Sequence, residues 1–212
     1  MTKHFTLLLL VLWGCTEVKN QFELPILGRP QITTRIVNGV EVSDTVPHTI
    51  AAFSFVNQDS MVVTKETFAG KIYVSDFFFT SCPTICPKMK QQMLRVYDAY
   101  EAEPRVSMLS HTIDPEYDTV GLLHEYANRL GVKSDKWHFV TGDKEEIYDI
   151  AETSYMVVAN QDDSAPGGYI HSGAFLLVDE KSHIRGVYDG TLEAQVDLLI
   201  KDIDRLLKSS AL

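Results

Sequence analysis

The sequence predicts an α/β fold, in which a central mixed β-sheet is flanked by helices and carries an added β-hairpin. Strand-like and helix-like segments alternate over residues 47–212, which favours a sheet covered by helices on both faces. Residues 71–79 are rich in β-branched and aromatic side chains, as is typical of a central strand buried on both faces. Residues 174–178 and 183–188 flank a turn-like stretch, and this pattern predicts the hairpin.

The order of the elements follows from the periodicity of apolar residues and from the turn and cap residues between them. Before the central strand, residues 50–56 and 61–64 are extended. After it come a predicted helix from Pro87 to the stop at Pro104, a strand at residues 106–113, and a helix capped by Asp118 or Thr119 and closed by Gly131. A strand at residues 136–140 and a helix from the cap at Asp143 to about Thr153 follow. The last predicted elements are an extended segment at residues 155–159, a polar loop at residues 160–168, the hairpin, and an amphipathic helix at residues 191–207.

Residues 1–14 have the features of an export signal of the lipoprotein type. Lys3 supplies a positive charge, and residues 5–13 form an apolar run that is shorter than the roughly 20 residues a membrane-spanning helix needs. The run leads into a Leu-Trp-Gly-Cys sequence that resembles a bacterial lipobox, in which the cysteine, here Cys15, carries lipid. A plain secretory signal and an uncleaved anchor are the alternatives. All three place the domain outside the cytoplasm, and we expect a membrane-anchored bacterial lipoprotein on the periplasmic side.

Residues 15–46 are predicted to be a tether followed by an irregular lead-in. Pro25, Gly28, Pro30 and Gly39 punctuate this stretch, which shows little periodicity. A domain held by lipid at one end needs such a spacer. The folded domain is therefore expected to occupy residues 47–212.

The composition excludes one large class of partners. The 212 residues are 45% hydrophobic and 23% charged, which predicts one domain with a well-filled core. The net charge is −10, and no basic stripe of the kind that binds nucleic acid is present.

Two of the three cysteines lie where the central strand meets the next helix. Cys82 and Cys86 are four residues apart, so their sulfurs can face the same side of a helical turn. Backbone N–H groups and the helix dipole favour thiolate there, the form that attacks disulfides and binds metals. A cysteine pair at this junction is the thioredoxin arrangement. Thioredoxin-type redox motifs have two intervening residues, and the three found here leave room for a metal ion between the sulfurs.

A metal held by two thiolates needs a further donor, and position favours His171. It follows the polar loop and precedes the hairpin, a place that lies across from the cysteine turn in a thioredoxin fold. His111 is a rival, because it ends a core strand at the sheet edge where ligands usually bind. The other histidines are expected to be lost with the signal, exposed or packed: His4, His48, His124, His138 and His183.

Two thiolates and one imidazole suit copper in either oxidation state, and also zinc. A structural zinc site needs four ligands, and the sequence offers no convincing fourth. A three-coordinate site fits a carrier that must release its metal. Asp76 and Asp114 lie near the same sheet edge and are expected to be a buried hydrogen-bonded acid and a helix or turn cap.

Four segments of the chain, in this order, resemble the Sco/SenC family. They are a Phe-x-Thr-x-Cys-Pro-x-x-Cys-Pro sequence at residues 78–87, an Asp-Pro-x-x-Asp-Thr sequence at residues 114–119, His171 with Ser172 before an apolar strand, and Tyr-Asp-Gly at residues 188–190. The resemblance implies a thioredoxin-like fold with an added hairpin. It also implies copper bound by the residues that match Cys82, Cys86 and His171, and a role in assembling the copper centre of cytochrome c oxidase.

The sequence therefore favours a metallochaperone that delivers copper to a cytochrome c oxidase subunit or prepares the thiols of its copper site. Thioredoxin-like reductants are further expected partners, because a disulfide between Cys82 and Cys86 would prevent loading. The alternative is an extracytoplasmic thiol-disulfide oxidoreductase, in which Cys82 attacks and Cys86 resolves. A redox or copper sensor that acts through a partner surface is a third hypothesis.

Overall fold

The computed structural model describes residues 23–161 and 169–209, so the predicted signal, Cys15 and most of the polar loop lie outside the described residues. Its strands are β1 (Gln31–Val37), β2 (Val40–Val46), β3 (Ser54–Asn57), β4 (Val62–Thr64), β5 (Ile72–Phe78), β6 (Val106–Thr112), β7 (Trp137–Thr141), β8 (Ala159–Gln161), β9 (Tyr169–His171), β10 (Ala174–Val178) and β11 (Ile184–Asp189). Its helices are α1 (Cys86–Tyr100), α2 (Val120–Leu130), α3 (Lys144–Asp149) and α4 (Glu193–Ser209), with a 3-10 turn (Lys65–Phe68) and a π-helical turn (Ile150–Ser154).

Seven strands form the central sheet, in the order β11-β10-β5-β6-β7-β3-β4. The strands β5, β6 and β7 run parallel, while β10 pairs antiparallel with β5 and β3 pairs antiparallel with β7. The sheet is therefore mixed, as predicted, and β10 and β11 are the expected added hairpin.

The central strand β5 is buried along its whole length and presents alternate residues to opposite faces. On one face, Phe78 packs beside Tyr126 of α2 and beneath the ammonium group of Lys90 from α1. On the other face, Phe77 packs against Tyr155, which follows the π-helical turn. Both faces of the sheet are thus covered, as the composition of residues 71–79 predicts.

Helix α2 begins and ends as the sequence predicts. The Thr119 side chain accepts a hydrogen bond from the backbone N–H of Leu122 at the start of the helix. At the end, Gly131 adopts φ 72°, a left-handed conformation that costs glycine little. Of the two predicted caps, Thr119 is therefore the one used.

The lead-in contains regular structure that was not predicted. Within residues 31–46, β1 and β2 pair antiparallel through a turn at Asn38 and Gly39, whose φ angles of 53° and 78° fit a two-residue hairpin turn. Before this hairpin, Leu27 bridges Ile184, the first residue of β11. That residue lies at the end of the sheet opposite to the end of β5 from which the chain enters the cysteine turn.

Two predicted strands are shorter than expected. Residues 50–56 become a strand only from Ser54, because the N–H groups of Ile50 and Ala51 bond to Ser182 and Ser154 instead of to a neighbouring strand. The predicted extended segment at residues 155–159 is irregular up to Val158, because the π-helical turn ends at Ser154 and β8 begins only at Ala159.

Candidate metal centre

The cysteine turn connects the end of β5 to the start of α1. Cys86 is the first residue of α1, and Cys82 precedes it in the turn, where its N–H bonds to the carbonyl of Phe79. Both side chains are buried, with 7% and 2% of Cys82 and Cys86 exposed. The local structure follows from the sequence, because Pro87 is tolerated in a first helical turn and fixes its φ angle.

The pKa of Cys86 is not lowered, although a thiolate was expected at the start of a helix. Its pKa is raised, first because it shares a hydrogen bond with the thiol of Cys82 and then because it is buried. The backbone of Phe79 and the charge of Lys90 act in the opposite direction and are outweighed. In this arrangement Cys86 is a thiol whose proton must leave when a metal binds.

Asp118 fixes the start of the cysteine turn. Its buried carboxylate accepts hydrogen bonds from the backbone N–H of Thr80, at 3.1 Å, and from the hydroxyl groups of Thr80 and Thr112. Burial raises the pKa of Asp118 in spite of these bonds. The carboxylate thereby ties the residue two positions before Cys82 to the end of β6.

The backbone of His171 lies in the short strand β9, which pairs with β8; its side chain lies outside the described part of the structure. The residues on either side of it contact the cysteine turn. The ring of Tyr169 lies 5.1 Å from the ring of Phe79, centroid to centroid. A methyl group placed at Gly173 would lie 3.9 Å from Cδ1 of Ile85. Both flanks of His171 are therefore close to residues that flank Cys82 and Cys86.

Tyr169 is also held by the segment at residues 114–119. Its hydroxyl group bonds to the carboxylate of Asp114, and burial followed by this bond raises the pKa of Tyr169. The side chain of Asp114 therefore contacts the strand that carries His171, a role that the expected cap does not describe. The same short segment thus supports both parts of the candidate site, through Asp118 on one side and Asp114 on the other.

The rival histidine, His111, has a different environment. Its ring is fully buried, stacks on Phe77 and contacts Phe53, Phe55 and Tyr155 edge-on or tilted. Neither ring nitrogen has a hydrogen-bond partner in the described structure, and burial lowers the pKa of His111 to about 3. This neutral, aromatic setting gives no support to His111 as a ligand.

The remaining described histidines make ordinary contacts. On α2, the exposed His124 pairs with Asp59, while His138 is buried beside Asn57. The imidazole of His48 lies 2.7 Å from the carbonyl of Ser154. His183 lies 3.4 Å from Asp179. Among the residues whose positions are described, no cluster of three or more histidine, cysteine or acidic residues could hold a metal.

A buried ion pair lies one helical turn beyond Cys86. Lys90 donates to the carboxylate of Asp76 at 2.7 Å and to the hydroxyl of Ser110 at 3.0 Å, and both charged groups are almost fully buried. Asp76 is thus the buried hydrogen-bonded acid that was expected. Lys90 was missed, although its position four residues after Cys86 places it on the same side of the helix.

The fold and the cysteine turn define a thioredoxin-like protein, with a mixed sheet and two cysteines at the junction of β5 and α1. A family model described as SCO1/SenC matches residues 42–208. The chain belongs to the SCO1/SenC family.

Three solved structures illustrate the similarity. A SCO1/SenC family lipoprotein from Bacillus anthracis is 26% identical with a TM-score of 0.69, covering 76% of this chain and 95% of that one. BsSco, described as a member of the Sco family of cytochrome c oxidase assembly proteins, is 30% identical with a TM-score of 0.67, covering 75% and 93%. Arabidopsis thaliana ScoI with copper bound is 28% identical with a TM-score of 0.62, covering 73% and 98%.

No helix within residues 23–161 and 169–209 is both long and apolar enough to cross a bilayer.

Proposed function

We propose that the protein binds one copper ion as cargo and delivers it to the copper site of cytochrome c oxidase. The family match carries this proposal, since it covers residues 42–208 and therefore nearly all of the folded domain. Arabidopsis thaliana ScoI has copper bound, and BsSco belongs to a family of cytochrome c oxidase assembly proteins.

The proposed ligands are Cys82, Cys86 and His171. The contact of Tyr169 with Phe79 and the closeness of Gly173 to Ile85 support this set, because they bring the backbone of β9 to the cysteine turn. Two sulfurs and one imidazole fit copper chemically. Burial of the two thiols excludes water and favours a cargo held until a partner supplies competing ligands.

Loading is proposed to depend on the redox state of the two cysteines. Oxidation joins their sulfurs in a disulfide and releases two protons and two electrons to an acceptor, and the disulfide no longer offers thiolate ligands. BsSco has been described as containing a disulfide switch. A thioredoxin-like reductant is the partner that would restore the thiols in this chain.

The protein is further proposed to be an exported lipoprotein, held to the membrane through Cys15 on the periplasmic side. The apolar run and the Leu-Trp-Gly-Cys sequence support this location, as does the description of the Bacillus anthracis relative as a lipoprotein. Residues 15–46 and 47–212 are proposed as the tether with its lead-in and the functional domain.

Copper(I) competition titration of the reduced full-length protein tests the ligand set. Replacing Cys82 or Cys86 by Ser, or His171 by Ala, removes one donor and should weaken binding by at least about 100-fold. The matched control is His124→Ala, which removes an exposed imidazole that pairs with Asp59 and should leave the affinity unchanged. Equal affinity of His171→Ala and the parent protein would exclude His171 as a ligand.

A thiol-disulfide oxidoreductase is the second candidate, favoured by the hydrogen-bonded cysteine pair in a thioredoxin-like fold. Turnover of a disulfide substrate by metal-free protein separates the two functions. Rapid multiple turnover that is unaffected by His171→Ala would favour the enzyme. Slow turnover together with tight, His171-dependent copper binding would favour the chaperone.

A further inference from the structure

The β1–β2 hairpin is exposed along most of both strands, and its root is held against the domain. A Cβ atom at Gly28 would lie 2.5 Å from His48, so the segment that enters β1 and the segment that leaves β2 are in close contact. Leu27 bonds to Ile184, and His48 bonds to Ser154, on the domain side of that root. Among the described elements, β1 and β2 contact each other extensively and no other element to a comparable extent.

The hairpin exposes large apolar side chains to an unusual degree. Ile32 is 74% exposed and Ile36 is 78% exposed, and Val37, Val40 and Val46 are also exposed. The tip, residues 36–40, contains no charged residue. An isolated two-stranded hairpin is only marginally stable in water, and contiguous exposed apolar surface usually marks an interaction site.

The position of the preceding chain identifies the surface that this tip can reach. Glu23 is the first described residue, and the backbone of Leu24 and Pro25 is held by the side chain of Arg185 close to the hairpin root. Only seven residues lie between Cys15 and Glu23, so the eight steps from one to the other reach at most about 28 Å. A strand of seven residues such as β1 is about 23 Å long, so the hairpin and the proposed lipid anchor lie within reach of the same membrane.

The charge distribution also favours an apolar tip for this contact. The chain carries a net charge of −10, and an anionic lipid surface would repel most of the domain. Within the hairpin, Arg35 and Asp44 form an ion pair with 2.8 Å between their charged atoms. The remaining charge is that of Glu41, which lies opposite Ile36 in the β1–β2 register. The tip can therefore enter lipid only to a depth at which the Glu41 carboxylate stays among the headgroups.

We propose that the tip of the β1–β2 hairpin inserts Ile36, Val37 and Val40 into the interfacial region of the bilayer. It would act as a second, non-covalent membrane contact beside the lipid. The inference rests on the proposed anchoring at Cys15 and not on copper binding. It assigns a function to a segment of which β1 lies wholly before residue 42, where the match to the family begins.

Tryptophan fluorescence in reconstituted full-length protein tests the insertion. Ile36→Trp is compared with Val62→Trp, because Val62 is also exposed, at 63%, but lies on β4 at the outer edge of the sheet. The vesicles contain phosphatidylethanolamine and phosphatidylglycerol, with or without brominated acyl chains. The signal of the parent protein, in which Trp137 remains after removal of residues 1–14, is subtracted. Insertion predicts a blue shift and loss of most of the added emission in brominated vesicles for Ile36→Trp alone.

Three results would overturn the proposal. Equal quenching of the two variants would mean that the tip does not enter lipid. A blue shift without quenching that disappears on dilution would identify a second copy of the chain as the occupant. Failure of the parent protein to float with the vesicles would remove the anchor on which the inference depends. Copper affinity measured on the same samples reports separately on the proposed function.

Discussion

At the scale of single residues, the carboxylate of Asp118 has more influence on the candidate site than its neighbour Thr119. Asp118 accepts hydrogen bonds from the N–H and hydroxyl groups of Thr80 and from the hydroxyl group of Thr112. Thr119 instead caps α2. The sequence suggested either residue as a cap and gave no reason to separate them. The distinction depends on Thr80, which is 38 positions away in the chain and becomes a neighbour only in the folded structure.

Substitution of Asp118 should therefore affect both stability and copper binding. Asp118→Ala leaves two hydroxyl groups and one N–H without their acceptor and should lower the free energy of unfolding by about 2–4 kcal/mol. It also releases the start of the cysteine turn, so copper affinity should fall. Urea unfolding and copper(I) titration measure the two effects.

Thr119→Ala is the matched control for that substitution. It removes the helix cap and should cost about 1 kcal/mol, with copper affinity unchanged. If Asp118→Ala and Thr119→Ala alter copper affinity to the same extent, Asp118 has no specific role in holding the turn.

At the scale of elements, α1 is held against the sheet by a buried ion pair as well as by apolar packing. Lys90 reaches from α1 to Asp76 on β5 and to Ser110 on β6, and its ammonium group lies 4.1 Å from the ring centroid of Phe78. Trp137 of β7 donates to the same serine. These contacts join α1 to three neighbouring strands beneath the cysteine turn.

A double-mutant cycle tests how strongly this pair couples α1 to the sheet. Lys90→Met leaves a buried carboxylate without its counter-charge and should lower the free energy of unfolding by about 3–5 kcal/mol. Asp76→Asn removes the carboxylate charge, so the double variant should be less destabilised than the sum of the two single variants. Additive losses in urea unfolding would contradict the coupling.

Several elements could be predicted from local sequence because local forces determine them. The caps of α2 and the apolar composition of β5 are examples, and both predictions are confirmed. The π-helical turn at Ile150–Ser154 was not anticipated, because the local sequence shows only helical periodicity and capping, which predict a helix to about Thr153.

The β1–β2 hairpin was missed for a different reason. Its Asn38-Gly39 turn between β-branched residues is a strong local signal for a hairpin. The surrounding proline and glycine residues favoured an irregular lead-in, and the prediction of irregular structure was wrong for residues 31–46, which pair as a hairpin.

The candidate site could be predicted in part. The cysteine turn follows from the junction of a strand and a helix, and Asp76 was expected to be buried. His171 stays a prediction, supported by the positions of its neighbours in the chain. The raised pKa of Cys86 was not anticipated, because it arises from a second thiol and from burial rather than from the helix.

At the scale of the whole molecule, two buried histidines make stability depend on pH. Burial lowers the pKa of His111 to about 3 and that of His138 to about 4, whereas an unfolded histidine has a pKa of about 6.5. Below pH 6.5 these two histidines therefore bind protons in the unfolded chain, whereas in the native protein they stay neutral until the pH approaches their lowered pKa values. Above this pH both states are neutral at these residues, so the loss of stability begins only as the pH falls through 6.5.

His111→Phe should reduce this acid sensitivity. Between pH 6 and pH 4.5, the slope of the unfolding free energy against pH should decrease by about 1.4 kcal/mol per pH unit. One of the two histidines that are protonated only in the unfolded chain is then absent. Urea unfolding at several pH values measures the slope. The control His124→Ala removes an exposed histidine and should leave the slope as in the parent protein. If His111→Phe also leaves the slope unchanged, His111 is not a source of the acid sensitivity.

The chain enters the domain beside Arg185, near the start of β11, whereas the cysteine turn lies at the opposite end of the sheet. A strand of six residues such as β11 separates these ends by about 20 Å. A membrane attachment upstream of Glu23 would therefore place Cys82 and Cys86 at the end of the sheet remote from the point where the chain enters the domain. Their distance from the bilayer would then be set by the length of the sheet as well as by the preceding chain.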